Sequence, residues 1–320
     1  MVSSENTEGS ITRLPDGSCE VVAFEEGKPD NVKRFVNKKI YLPSEEEAFT
    51  VNEVVYGLDV IWLGITGWTK PPTYYAERYG TCPEKGIYEK LATALILESA
   101  STLVQNGFRV DLRHGASNAG VDAAVMKAME LTGISGSGLN CPAYMPWVED
   151  SNRGGAVFVA ASKEDYHAAY SRLQKILLVT GGREAAFYHD YLKRMSGEGF
   201  SIVSDLIQIV SKELVPGFDI PPGKDKPQLG NAAAYVREKN SFYGNVPRTY
   251  DELMATTKFL ILNAAYKVSN REPDQKALSY LECKISDAHK DWQKGNNHII
   301  TIPEVDERIL AAVKEYKVHQ

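Results

Sequence analysis

Three short segments carry the residues most capable of chemistry: Gly64-Ile-Thr66-Gly67, Gly115-Ala-Ser117-Asn118-Ala-Gly120 and Thr180-Gly181-Gly182-Arg183. Each follows an apolar run and precedes a helical pattern. Glycine lets the chain turn sharply and lets an anion approach main-chain N–H groups. A helix beginning there adds unpaired donors and a partial positive charge. Three such turns on one sheet edge would form a single anion-binding cleft, suited to a nucleotide or another phosphate-bearing ligand. Each turn taken alone serves equally well to reverse the chain.

The polar residues at these turns have two readings. Ser117 and Asn118 either cap the following helix or touch a ligand, and Asp122 in the first turn either stabilises the helix dipole or bonds a ribose hydroxyl. Arg113 could pair with phosphate, whereas His114 beside it reads as an ordinary packed histidine. Trp68, Tyr74, Tyr75 and Tyr79 could stack a base over the cleft or pack a lid loop among themselves. Cys141 has no base implied near it and reads as a buried thiol. The chain contains no G-x-x-x-x-G-K-[ST] loop, no H-E-x-x-H helix and no nucleophile elbow.

The elements that must position these turns are readable from periodicity. Residues 60–67 form a short apolar run ending in glycine, as a buried parallel strand does. Residues 86–105 carry apolar side chains at helical spacing and stop at Asn106-Gly107. Residues 108–114 alternate like a strand, and Val121, Val125 and Met129 mark one face of the next helix. Further strands are expected around 139–145, at 157–160, 175–182 and 200–203, with helices at 166–173, 183–195 and on to about 214. The alternation predicts an α/β, Rossmann-like, doubly wound and mostly parallel sheet, with ligands outside the carboxyl ends of the strands.

Around this unit, assigned to residues 54–215, lie an N-terminal extension (1–53) and a mainly helical C-terminal region (216–320). The extension is polar and acidic, with edge-strand candidates at 19–24 and 39–42. The C-terminal region reads as helices at 249–268 and 275–294, a short strand at 298–302 and a final helix from Pro303.

The 320 residues are 43% hydrophobic and 24% charged, the composition of an ordinary globular protein. A formal charge of −6 supplies no general basic field, so nucleic acid is an unfavoured partner and small molecules or proteins are favoured. The four cysteines, widely spaced and without a C-x-x-C pair, signal neither a structural metal site nor a disulfide scaffold. With no signal-peptide pattern and no apolar run of roughly 18 residues, the expectation is a cytoplasmic protein without membrane contact.

The string GITG, then LRHGASNAGVDAAVMKAM, a strand ending in YMPW, and ILLVTGGREAAFYHDYL resemble the Rossmann superfamily of the LOG-type phosphoribohydrolases and the DNA-processing protein A domain. The resemblance covers residues 59–203. It implies a nucleotide-type ligand, with Gly64, Thr66 and Gly67 at a first phosphate loop, Gly115, Gly120 and Asp122 at a second, and Gly181 and Gly182 at a third. The phosphoribohydrolases carry PGG-x-G-T-x-x-E at the third loop, where this chain has Thr180-Gly-Gly-Arg-Glu-Ala-Ala. Glycosidic cleavage needs a carboxylate to stabilise an oxocarbenium-like ribose and an arginine to hold phosphate, roles that Glu184 and Arg183 or Arg113 would fill. The favoured reading of Glu184 is a first-turn carboxylate that stabilises its own helix dipole, with catalysis the lesser alternative.

The resulting expectation is a nucleotide-binding protein that senses, sequesters or processes its ligand, assembles as a homo-oligomer and requires no cofactor. The alternatives are a protein-binding inhibitor or scaffold that keeps the fold without catalysis, and a single-stranded DNA binder.

Overall fold

The computed structural model describes residues 39–42, 60–67, 86–115, 120–140, 157–160, 163–172, 174–181, 189, 192–193, 196–197, 199–204, 206, 249–295 and 300–319. Seven strands form one sheet: β1 (Lys39–Leu42), β2 (Val60–Thr66), β3 (Arg109–His114), β4 (Ser135–Asn140), β5 (Val157–Ala160), β6 (Ile176–Val179) and β7 (Phe200–Val203). Their spatial order is β1-β5-β4-β3-β2-β6-β7, and neighbouring strands run parallel throughout. From β2 the chain steps outward through β3, β4 and β5, then crosses back to lay β6 on the other side of β2. The α/β expectation is met, and the edge-strand candidate at 39–42 pairs with β5.

The helices are α1 (Ile87–Gln105), α2 (Gly120–Thr132), α3 (Lys163–Arg172), α4 (Tyr250–Val268), α5 (Gln275–Gln293) and α6 (Ile302–Val318). No helix among the described residues is long and apolar enough to cross a membrane.

Strand alternation gives the sheet two different faces. Ile61, Leu63, Ile65, Val110, Leu112, Ile176 and Leu178 join the apolar core on the face covered by α1 and α2. Trp62, Thr66, Asp111 and Arg113 have the opposite parity and are buried on the other side.

Helix α1 is buried nearly all round, from Ile87 through Leu103. A helix without a polar face needs cover on every side. The sheet and α2 supply part of it, and α4 and α6 supply the rest. Leu253, Phe259, Leu262, Leu281, Ile285, Val305, Ala312 and Tyr316 extend the same core outward, so the C-terminal helices form a further layer on it.

Polar contacts fix the register of that layer. Lys90 pairs with Asp306 at 2.7 Å, Glu98 with Lys258 at 3.4 Å and Arg308 at 3.7 Å, and Tyr250 Oη donates to Leu91 O at 3.2 Å. Burial pushes the Glu98 carboxyl up, while Lys258 and Arg308 pull it back.

Two boundaries differ from expectation. The strand read at 139–145 lies earlier, at Ser135–Asn140, because Ser-Gly-Ser-Gly is strand rather than turn. A Cβ at Gly136 would stand 2.7 Å from both Leu112 O and Met129 Sδ, so α2 packs too close for any side chain there. The strand read at 298–302 is not found at its described end. Ile300 is buried outside any strand, and Thr301 caps α6 through a capping box with Glu304.

Leu95 lies fully buried in α1 whereas Leu310 on α6 is 69% exposed. Leu95→Ala is expected to lower unfolding free energy by about 2–5 kcal/mol, and Leu310→Ala by less than about 0.5 kcal/mol. Urea unfolding followed by circular dichroism checks both, and equal midpoints would contradict the layered core.

Candidate functional site

Because β3, β2 and β6 are adjacent and parallel, their carboxyl ends emerge on one rim. Gly115 follows β3, Gly67 follows β2, and Thr180-Gly181 follows β6. The three glycine turns are therefore brought together. Gly181 has φ 99° and Gly120 has φ 57°, backbone conformations that suit glycine.

The middle of the rim is closely packed. Thr180 N donates to Thr66 O at 2.9 Å, Thr180 Oγ1 also donates to Thr66 O at 3.2 Å, and the hydroxyls of Tyr88 and Thr180 lie 2.8 Å apart. A Cβ at Gly67 would collide with Thr180 Oγ1 and Tyr88 Oη. Gly67 is thus required by packing between β2, β6 and the first turn of α1.

At the second turn the main-chain donors are occupied by carboxylates. Gly115 N donates to Asp122 Oδ1 at 2.8 Å, and Gly120 N donates to Glu89 Oε1 at 3.2 Å. Asp122 is buried, so its carboxylate ties the end of β3 to the first turn of α2. Burial holds the His114 imidazole below its ordinary range, against the opposing pull of Asp122. His114 is a packed histidine, as expected.

Two proposed ligand residues do not stand at the rim. Gly64 lies within β2, opposite Arg113 and Leu177, and the side chain of Gln174 fills the space above it. Arg113 is only 3% exposed. Its Nε lies 3.0 Å from Asp111 Oδ1, its Nη1 donates to Ser137 Oγ, and its guanidinium sits 5.7 Å from the Trp62 ring. Ser117, Asn118, Gly182, Arg183 and Glu184 lie outside the described residues, as do Trp68, Tyr74, Tyr75 and Tyr79.

On the sheet face opposite α1 is a polar cluster that the sequence reading did not single out. Thr66 Oγ1 lies 3.1 Å from His189 Nδ1, and His189 Nε2 lies 2.8 Å from His167 Nδ1. Tyr170 stacks on His189 with ring centroids 4.7 Å apart, and its hydroxyl donates to Ile65 O. Tyr166 packs beside Tyr170 and reaches toward Gly115. A usable signal was present in α3, whose buried positions carry Tyr166, His167 and Tyr170 instead of aliphatic residues. Burial lowers both imidazoles, His189 to about 3 with His167 adding to the effect, so both are neutral at pH 7.

The chain matches no protein-family model, and no curated protein is significantly similar to it.

The depressed histidine fixes a pH dependence. An unfolded histidine takes a proton near pH 6.5, while His189 in the fold resists protonation down to about pH 3. Below pH 6.5 the unfolded state binds the extra proton, so stability is full above that pH and is lost as pH falls toward 3. The loss is expected to be on the order of a few kcal/mol. His189→Phe should flatten this segment of the stability–pH curve, as read by urea midpoints between pH 4 and 7. An unchanged slope would contradict a buried neutral His189.

Proposed function

We propose that the chain binds a nucleotide-type ligand at the carboxyl rim where β2 and β6 diverge. The observation that carries this reading is the convergence of Gly67, Gly115 and Gly181 on three neighbouring parallel strands, beside the point where strand order reverses. Crossovers leave opposite faces of a sheet at such a point, and the crevice between them is the general ligand position in open α/β sheets. The first turns of α1 and α2 meet there too, through Tyr88, Glu89 and Gly120.

The occupied amides favour one orientation for the ligand. Asp122 and Glu89 already accept from Gly115 N and Gly120 N, and an incoming phosphate there would face two carboxylates. The phosphate belongs instead at the Gly67 and Gly181 side of the rim. The Glu89 carboxylate then suits hydroxyl donors, as a pentose presents. The resemblance to the phosphoribohydrolase superfamily agrees with such a ligand, and processing by glycosidic cleavage would fall to Glu184. The alternative of a scaffold built on the added C-terminal helices loses weight, because those helices cover α1.

Thermal unfolding with mono-, di- and cyclic nucleotides and NAD tests the reading. At least one is expected to stabilise the protein, by about 2.7 kcal/mol at a hundred times its Kd. Glu89→Gln should weaken that nucleotide about tenfold, the loss of one hydrogen bond to a charged group, while binding inorganic pyrophosphate no more weakly than the parent. The absence of a shift with every compound would overturn the proposal.

A further inference from the structure

The Thr66, His189 and His167 chain has the arrangement of a nucleophile, a base and a group that orients the base. Such an arrangement is recognised by hydrogen-bond contact of about 2.6–3.2 Å between hydroxyl and base, with a third group on the base's far side. Here the two contacts are 3.1 Å and 2.8 Å. The hydroxyl stands at the last residue of β2, next to Gly67 and beside the reversal of strand order. Of the two threonines there, Thr180 is fully buried whereas Thr66 keeps 7% exposure.

The proton positions are coherent in two ways. Thr66 Oγ1–H donates to His189 Nδ1 while His189 Nε2–H donates to His167 Nδ1, or both bonds run in the opposite direction. Starting from the first order, transfer of the Thr66 proton to His189 and of the His189 Nε2 proton to His167 frees the Thr66 oxygen and leaves the added charge on His167. The imidazole that must rotate least is also the best held: Tyr170 stacks on His189 at an interplanar angle of 28°, anchored through its own hydroxyl to Ile65 O.

We propose that Thr66 is a nucleophile for acyl transfer from small esters entering at the Gly67 rim, with His189 as proton acceptor and His167 as the second station of the relay. In the step, Thr66 Oγ bonds to the acyl carbon and the bond from that carbon to the leaving alkoxide or phenoxide breaks. The Thr66 proton passes to His189 Nδ1, the His189 Nε2 proton passes to His167 Nδ1, and water later hydrolyses the acyl-threonine to regenerate the hydroxyl.

The second station matters because burial makes a cation on His189 costly. Moving the proton onward places the charge on His167, one helical turn from exposed Lys163 and Glu164. Lys163 opposes that charge and Glu164 supports it. Among the described residues, the ionisable groups whose rings pack on the relay are Tyr166 and Tyr170 from α3, and burial keeps Tyr170 protonated.

The test is p-nitrophenyl acetate with the full chain. The expected result is release of about one p-nitrophenolate per chain in a rapid phase, with an acetyl group mapped by mass spectrometry to Thr66. Thr66→Ser keeps the rapid phase and Thr66→Val removes it. His189→Gln slows acetylation by about a hundredfold or more, and His167→Gln slows it less and displaces its pH midpoint. A folded parent without acetyl on Thr66, or folded His189→Gln acetylated at the parent rate, would overturn the proposal. Should His189→Gln fail to fold, the parent mapping and His167→Gln decide. Nucleotide thermal shifts on the same samples separate the two readings: acetylation without a shift sinks nucleotide binding alone, and a shift without acetylation sinks the relay alone.

Discussion

Between Ile87 and Leu103 helix α1 keeps only Glu89, Lys90 and Glu98 partly open to water, and much of the architecture follows from that constraint. Its residues from Ile87 to Leu103 are buried on the sheet side and on the outer side alike. Apolar area left uncovered would cost about 25 cal/mol per Å², so a two-layer unit ending at β7 could not have been stable alone. Helices α4 and α6 close the exposed side, and ion pairs at Lys90, Glu98 and Arg308 select one register among the many that apolar packing would accept. The same immobilised helix delivers Tyr88 and Glu89 to the rim from its first turn. What covers α1 therefore also determines where two rim side chains stand.

The main elements were legible because their periodicities are uncompromised. β2 and β6 are strands with little polar interruption, β3 alternates polar with apolar residues, and α2 presents Val121, Val125 and Met129 at helical spacing. β4 was displaced in the reading because Ser135-Gly-Ser-Gly has turn composition. Gly136 records how closely Met129 approaches, a fact of tertiary packing that no local pattern carries. The start of α6 was read to within one residue, and the strand expected just before it has a related explanation. Ile300 is apolar because the core reaches it, and Thr301 with Glu304 spells a capping box once the helix is placed.

The rim was legible as glycine turns and illegible as a set of contacts. Glycine is informative locally, since the backbone demands it locally. Hydrogen-bond partners are not local: Tyr88 meets Thr180 across 92 residues, and Thr66 meets His189 across 123. The contact between Arg113 and Asp111 had a local sign. Asp111 and Arg113 are two apart on one strand, so they share a face, and two opposite charges on an interior strand pair with each other before they pair with a ligand.

The two faces of the sheet differ in kind, and the rim between them inherits both. On the α1 face the neighbours are mostly aliphatic, with Tyr88, Thr180 and His114 toward the rim. On the α3 face β2 meets two imidazoles and two phenols, most of whose polar atoms are paired within the cluster. Burying that many polar groups contributes little net stability even when every bond is made, because each replaces a bond to water. Aliphatic side chains of similar volume would hold α3 to the sheet at least as well. The cluster lies under the last residue of β2, where the chain changes direction and the rim is formed. Its placement there ties the polar face to whatever the rim receives, since any molecule that settles beside Gly67 meets the Thr66 end of that chain before the rest of it.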